Sequence, residues 1–257
     1  MSASATPSAP VSPPAPSPPP RSGDLQDSGA VRRDAVRAHR WSASGAAKVL
    51  GDVDVDEATL SGLTSIRGDV TGGSISASGT CDILGSVRLT GAFRGSGTTT
   101  IGKGVSAEEI DLSGAASVHG PVESSGRVRW AGSLETGEGV SAARVEFEGR
   151  GVVPGAIVAK EVEGRIRGDS RFGSISADRV RITRPARLFA QGELRVLTIE
   201  GKDVELEAVV AQYVKAERVA LGAHCQIARV DGTITRRHPT ARVGPASQSP
   251  PPYGLSR

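Results

Sequence analysis

"SAEEIDLSG" (106–114) returns 35 residues later as "SAARVEFEG" (141–149), and "SADRVRITR" (176–184) follows after the same interval. The echo belongs to a finer rhythm. An eight-residue window advanced by 17 or 18 residues from position 55 carries, at its fourth place, Ala58, Ile75, Phe93, Ile110, Val128, Val145, Val162 and Val180. At its eighth place it carries Gly62, Gly79, Gly97, Gly114, Gly132 and Gly149, then lapses to Ile166 and Arg184. Eight residues past those glycines stand Val70, Val87, Val105, Val122, Val140 and Ile157. Three columns in register define a repeat of about 17.5 residues, and the longer echo spans two of them.

Within each repeat, "EEIDLSG", "GRVRWAG" and "ARVEFEG" place apolar side chains at every second position. That period of two belongs to a strand with one buried face, and the β-branched character of the apolar residues favours strands further. A unit this short cannot hold a strand and a helix returning to the same sheet. It holds three strands of about four to six residues separated by tight bends at glycine and polar pairs such as Gly68-Asp69. Stacked at the roughly 4.8 Å spacing of hydrogen-bonded strands, such units form an all-β parallel β-helix, or β-solenoid. Like side chains then rest on like side chains in a narrow interior, which accounts for an aromatic content of only 3%.

The edges of the repeat set the expected domain boundaries. Eight of the 16 prolines fall in residues 1–20 and five in 239–257. Residues 1–45 read as a disordered Pro/Ala/Ser-rich and basic tail, and 236–257 as a second basic, Pro-rich tail. Between them lie a main block (46–183), an interruption (184–199, "RPARLFAQGELRVLTI") and C-terminal coils (200–235). These last coils either continue the main rod or fold beside it. The total charge of +3 conceals a split: +3 for residues 1–48, +4 for 235–257, and therefore −4 for the body. The basic character belongs to the tails, which argues against a nucleic-acid-binding core. Two cysteines without a secretion signal point to free thiols in a reducing cytoplasm.

The Gly-rich alternation of "GDVDVDEATLSGLTSIRGDV", repeated every 17–18 residues, resembles the bactofilins, the polymer-forming cytoskeletal proteins of bacteria. The closing "IEGKDVELEAVVAQYVKAERVALGAHCQIARVDG" is similar to the C-terminal segment of the family's longer members. The resemblance covers about residues 45–234. It implies a right-handed parallel β-helix that joins end to end into filaments without nucleotide or other cofactor. It further implies a non-enzymatic scaffold near the inner membrane, organising cell-shape or cell-envelope proteins. The interruption departs from the simplest members, which have one unbroken block.

Independently of the resemblance, each end of a solenoid exposes unpaired strand edges and an open apolar column unless something caps it. Neither "AAKVLGDVDVDEATL" nor "RVALGAHCQIARVDGTI" is flanked by an amphipathic capping helix. The expected polymerisation ends are therefore Val49, Leu50, Val53 and Val55 on one side, and Val219, Leu221, Ile227 and Val230 on the other. A second candidate surface is "VRRDAVRAHRW" (31–41), where Arg32, Arg33, Arg37, Arg40 and Trp41 combine basic groups with an interfacial ring suited to an anionic membrane.

The main alternative is a hexapeptide-repeat-like solenoid acyltransferase, which needs a general-base histidine in a cleft. The histidines within the repeat, His119 and His224, lie over a hundred residues apart. The pairs Glu108-Glu109 and Glu161/Glu163 sit among Lys and Arg, as solvated strand faces do. "GSGTTTIGKG" lacks the residue order of a phosphate loop, and nothing matches a zinc triad or a calcium nonapeptide. No catalytic, metal or cofactor residue is assigned. Cys81 and Cys225 are expected as small core residues.

Overall fold

The computed structural model describes residues 21–185 and 192–244. They form strands β1 (Leu25–Arg33), β2 (Val36–Val49), β3 (Val53–Ile66), β4 (Val70–Ile83) and β5 (Val87–Leu89). Next come β6 (Ala92–Ile101), β7 (Val105–Val118), β8 (Val122–Thr136), β9 (Val140–Ser141) and β10 (Arg144–Ile166). The last are β11 (Ser170–Thr183), β12 (Leu194–Leu206), β13 (Val209–Leu221), β14 (Gln226–Arg237) and β15 (Arg242–Val243). Each strand pairs in parallel with its neighbours in one continuous sheet, and the whole is a β-solenoid of about 13 coils.

Strand β3 shows how one coil is built. Its inward side chains come in three pairs: Val53 and Val55, Ala58 and Leu60, Thr64 and Ile66. Two residues separate the first two pairs, and three, centred on Gly62, separate the second and third. The coil therefore has three short sides, each contributing two side chains to the core. Strand β7 repeats the pattern with Val105/Ala107, Ile110/Leu112 and Ala116/Val118.

Parallel pairing sets each position above its counterpart. Val36, Val53, Val70, Val87, Val105, Val122, Val140, Ile157, Ile175, Ile199, Val214 and Val230 form an unbroken column of β-branched residues through the rod. All but the last are buried. A second column holds the predicted Ala58, Ile75, Phe93, Ile110, Val128 and Val145 and extends backwards to Trp41 and Leu25.

The glycine column also runs further than the repeat count predicts. Gly29 and Gly45 precede Gly62, and all eight glycines to Gly149 stack in register with positive φ. At Gly97, for example, φ is +97° and a Cβ would lie well inside van der Waals contact with the carbonyl oxygen of Gly79. Any side chain there would push two coils apart as well as strain the turn.

Several boundaries move. The solenoid begins two coils before residue 46, because β1 and β2 occupy part of the segment expected to be a tail. Expected tail residues Arg236, Arg237, Arg242 and Val243 likewise belong to β14 and β15. Residues 1–20 and 245–257 lie outside the described residues. Of the interruption, residues 186–191 also lie outside them, whereas Leu194, Arg195, Val196, Thr198 and Ile199 pair in register with β11. The C-terminal coils continue the rod rather than folding beside it.

The coil length changes at the insertion. Val180 to Val204 spans 24 residues, and Val204 to Val219 only 15. The shorter coils turn their corner without glycine: Ala208 (φ 54°) and His224 (φ 59°) take the left-handed conformation instead. Backbone bonds link these corners, with Leu194 N–H donating to the Ala208 carbonyl at 3.0 Å and Ala208 N–H to the Ala223 carbonyl at 2.9 Å. Just before this change the core departs from small aliphatics. Trp130 and Phe147 stack at 4.8 Å between centroids with planes 8° apart, and Phe172 meets both edge-on at 6.4 and 5.4 Å. Space for these rings comes from Gly164, against which Phe147 packs, and Gly151, whose added Cβ would lie 2.6 Å from Phe172 Cε1.

Two substitutions at left-handed corners should act in opposite directions. Gly97→Ala should destabilise by about 3 kcal/mol or more, since positive φ and overpacking each cost roughly 1–3 kcal/mol. His224→Gly, at an exposed corner, should stabilise by about 1 kcal/mol through relief of the left-handed penalty. Thermal or urea unfolding of the two variants beside the parent checks both signs.

Candidate functional site

The described residues hold no group of His, Cys, Asp and Glu able to bind a metal ion. The histidines of the repeat occupy exposed corners. His119 Nδ1 lies 3.2 Å from the Ile101 carbonyl oxygen, and the His224 N–H donates to Thr240 Oγ1 at 3.1 Å. His224 borders a shallow, solvent-open depression beside the insertion, together with Asp169, Arg184 and Glu193. Burial pushes the Cys81 thiol up to about 12 and raises that of Cys225, so neither is a ready nucleophile. Both side chains pack in the core.

Of the paired carboxylates, Glu109, Glu161 and Glu163 belong to ion ladders along one side. Arg144 lies 2.6 Å from Glu146, 3.5 Å from Glu161 and 3.3 Å from Glu163. Glu109 lies between Arg94 at 3.9 Å and Arg127 at 4.0 Å, and Arg181 meets Glu205 at 3.3 Å. Coil stacking brings opposite charges together one above another. Such exposed pairs each contribute little, and they act as a row that favours the correct register.

The two ends offer a different kind of surface. Of the residues expected at the N-terminal end, Val49, Val53 and Val55 are buried inside the rod and Leu50 is half-buried. Arg33 sits over Val49, and Val36 and Ala38 sit over Val53 and Val55. Two coils do the covering: β2, whose inward positions are all apolar, and the outermost, β1, where polar Asp27 and Arg33 alternate with Leu25 and Val31 and break the apolar pattern. Asp27 stacks over Ala43, in the column that elsewhere holds Leu60, Ala77, Leu112 and Trp130. Its carboxylate, with a side chain only 5% exposed, accepts from Arg33 Nε at 2.9 Å and Nη2 at 2.6 Å, and from the buried Trp41 indole at 3.0 Å. Arg33 and Asp27 thus span the end of the apolar column and close it. The coil is fastened from outside by Arg21, which binds Asp54 at 2.6 Å and also reaches Asp56 two coils away.

This geometry also revises the basic-aromatic surface. Trp41 is 1% exposed and points into the core, while Arg33 is turned inward to Asp27. Arg32, Arg37 and Arg40 remain exposed, with Arg40 Nε 3.1 Å from Glu57. A ring cannot serve as both core and membrane anchor, so the five residues do not act as one contact. One sequence signal anticipates this: the pair Ser28-Gly29 precedes Ser44-Gly45 by 16 residues, nearly the period of the repeat.

The C-terminal end is less completely covered. Val219 and Leu221 are interior, beneath Ile234 and Arg237 of β14, and Ile227 lies beneath Val243. The Arg237 guanidinium donates to the Ala241 carbonyl at 3.2 and 3.1 Å, folding a short turn over part of the end. Val230 is half-buried and Ile234 is 39% exposed. Of the eight residues expected at the ends, only Val230 has no described strand stacked beyond it. No family model, curated protein or solved structure matches the chain.

The Arg33 guanidinium holds the Asp27 carboxyl below its ordinary value, helped by the Trp41 indole and opposed by burial. A lowered folded-state pKa contributes stability that is fully present above the unfolded carboxylate value of about 3.9 and is lost as pH falls through the folded value. Acid should therefore loosen the N-terminal coil. Asp27→Asn should weaken that coil at pH 7 by about 1–3 kcal/mol. The difference from the parent should vanish below the Asp27 titration, as read by Trp41 fluorescence against pH.

Proposed function

We propose that the chain is a non-enzymatic, bactofilin-like cytoskeletal scaffold that polymerises end to end without nucleotide. In this reading it works in the bacterial cytoplasm near the inner membrane, organising cell-shape or cell-envelope proteins. The observation that carries it is the continuous parallel stacking: across local register shifts, one β-branched column passes from Val36 to Val230 without change of direction. A lattice that adds coil upon coil inside one molecule supplies the geometry for continuing it between molecules. The C-terminal coil, where Val230 and Ile234 have no strand partner beyond them among the described residues, supports the same reading. An acyltransferase would require a cleft histidine, and the corner positions of His119 and His224 give that alternative no support.

Negative-stain electron microscopy of the purified chain without nucleotide should show unbranched filaments, and sedimentation at physiological salt should show species well above 26.3 kDa. A chain that stays monomeric at high concentration would refute the proposal. Ile234→Glu, at the open end, should reduce assembly without changing the unfolding temperature.

A further inference from the structure

We propose that residues 21–33 are a gate over the N-terminal end of the rod: seated, they block a second copy of the chain, and released, they uncover a layer that accepts one. The inference rests on the end-to-end reading above and adds which end is closed, and by what. Beneath the gate, β2 turns Val36, Ala38, Trp41, Ala43, Ala47 and Val49 inward, the six-position layer of the ordinary coils. Among the described residues, the edge of β2 that faces this end is covered by β1, through nine register pairs from Leu25↔Trp41 to Arg33↔Val49, and by the Ser22↔Ala38 bridge just before it. What the layer demonstrably holds is a coil of this chain. The occupant it fits once cleared is therefore a coil of a second copy.

The seated gate blocks because of what it places at the end. Stacking an apolar coil on it would bury the half-exposed Arg33 guanidinium and complete the burial of Asp27, with no new partner for either charge. It opens more readily than an interior coil because, among the described residues, it has one neighbouring coil instead of two, and the ends of a stacked array are its least stable units. Beyond the backbone ladder to β2, its side-chain fastenings to the rod include the Trp41 indole bond to Asp27 and the Arg21 clasp on Asp54 and Asp56, while the Asp27–Arg33 pair holds the gate's own shape.

A reversible lock tests the gate in the full-length chain. Ala30 and Ala46 are exposed register partners on β1 and β2, at a separation that suits a disulfide. In Ala30→Cys/Ala46→Cys, oxidation should hold the gate shut and lower the polymer recovered by sedimentation by about tenfold, and dithiothreitol should restore it. The buried Cys81 and Cys225 do not compete. Conversely, Asp27→Ala/Arg33→Ala should raise both assembly and acrylamide quenching of Trp41, read in a Trp130→Phe background. If oxidised and reduced proteins polymerise alike, the gate is wrong and end-to-end assembly stands. If no form assembles, including the loosened one with Trp41 exposed, the end-to-end reading fails and the gate fails with it.

Discussion

Everything in this rod depends on hydrogen bonding between successive coils in parallel, register-matched strands. The ladder fixes the distance between coils at about 4.8 Å, so each side chain must be compatible with the one directly above and below. Val and Ile meet that demand because a branched Cβ fills the gap between layers with little rotamer freedom to lose. The same spacing makes the glycine column compulsory. Where the chain turns with positive φ, one coil's carbonyl oxygen occupies the space in which the next coil would place its Cβ. Regularity here is a consequence of backbone geometry applied repeatedly to a single side-chain-thin core.

Departures from the repeat show the same constraint from the other side. The three stacked rings fit only where Gly151 and Gly164 vacate the volume, so a large side chain in one coil is matched by a missing one in the next. After the insertion the coil shortens to 15 residues, and the left-handed corner passes from glycine to Ala208 and His224. Both residues adopt the left-handed region against their steric preference, Ala208 with its N–H and carbonyl bonded to neighbouring coils and His224 with its N–H donating to Thr240 Oγ1. The ladder continues unchanged through this transition, which is why the last coils remain in line with the first.

The ends obey a different rule. An interior layer is covered on both faces, whereas a terminal layer must either expose apolar surface or carry polar groups at inward positions. At the N-terminus the chain takes the second course with Asp27 and Arg33, whose charges satisfy each other above the Trp41 indole. At the C-terminus Arg237 and the turn through Ala241 cover part of the layer and leave Ile234 outside. Two ends so unlike are not interchangeable surfaces, and any contact between copies must distinguish them.

The repeat, the strand periodicity and the solenoid were legible in the sequence because they are local and recur. A column needs only the right residue at a fixed interval, and Val, Ile and Gly announced it from Ala58 to Val180. The terminal coils were hidden because their inward residues break the apolar pattern that identifies a coil: Asp27 and Arg33 read as linker charges, and Trp41 as a surface ring. The insertion hid the change of period, since residues on its two sides no longer align by counting. Tertiary structure alone decided which charge faces inward, because a carboxylate enters a core only where folding brings a cation and a donor against it. That cation lies six residues away in sequence, across the end of the rod in space.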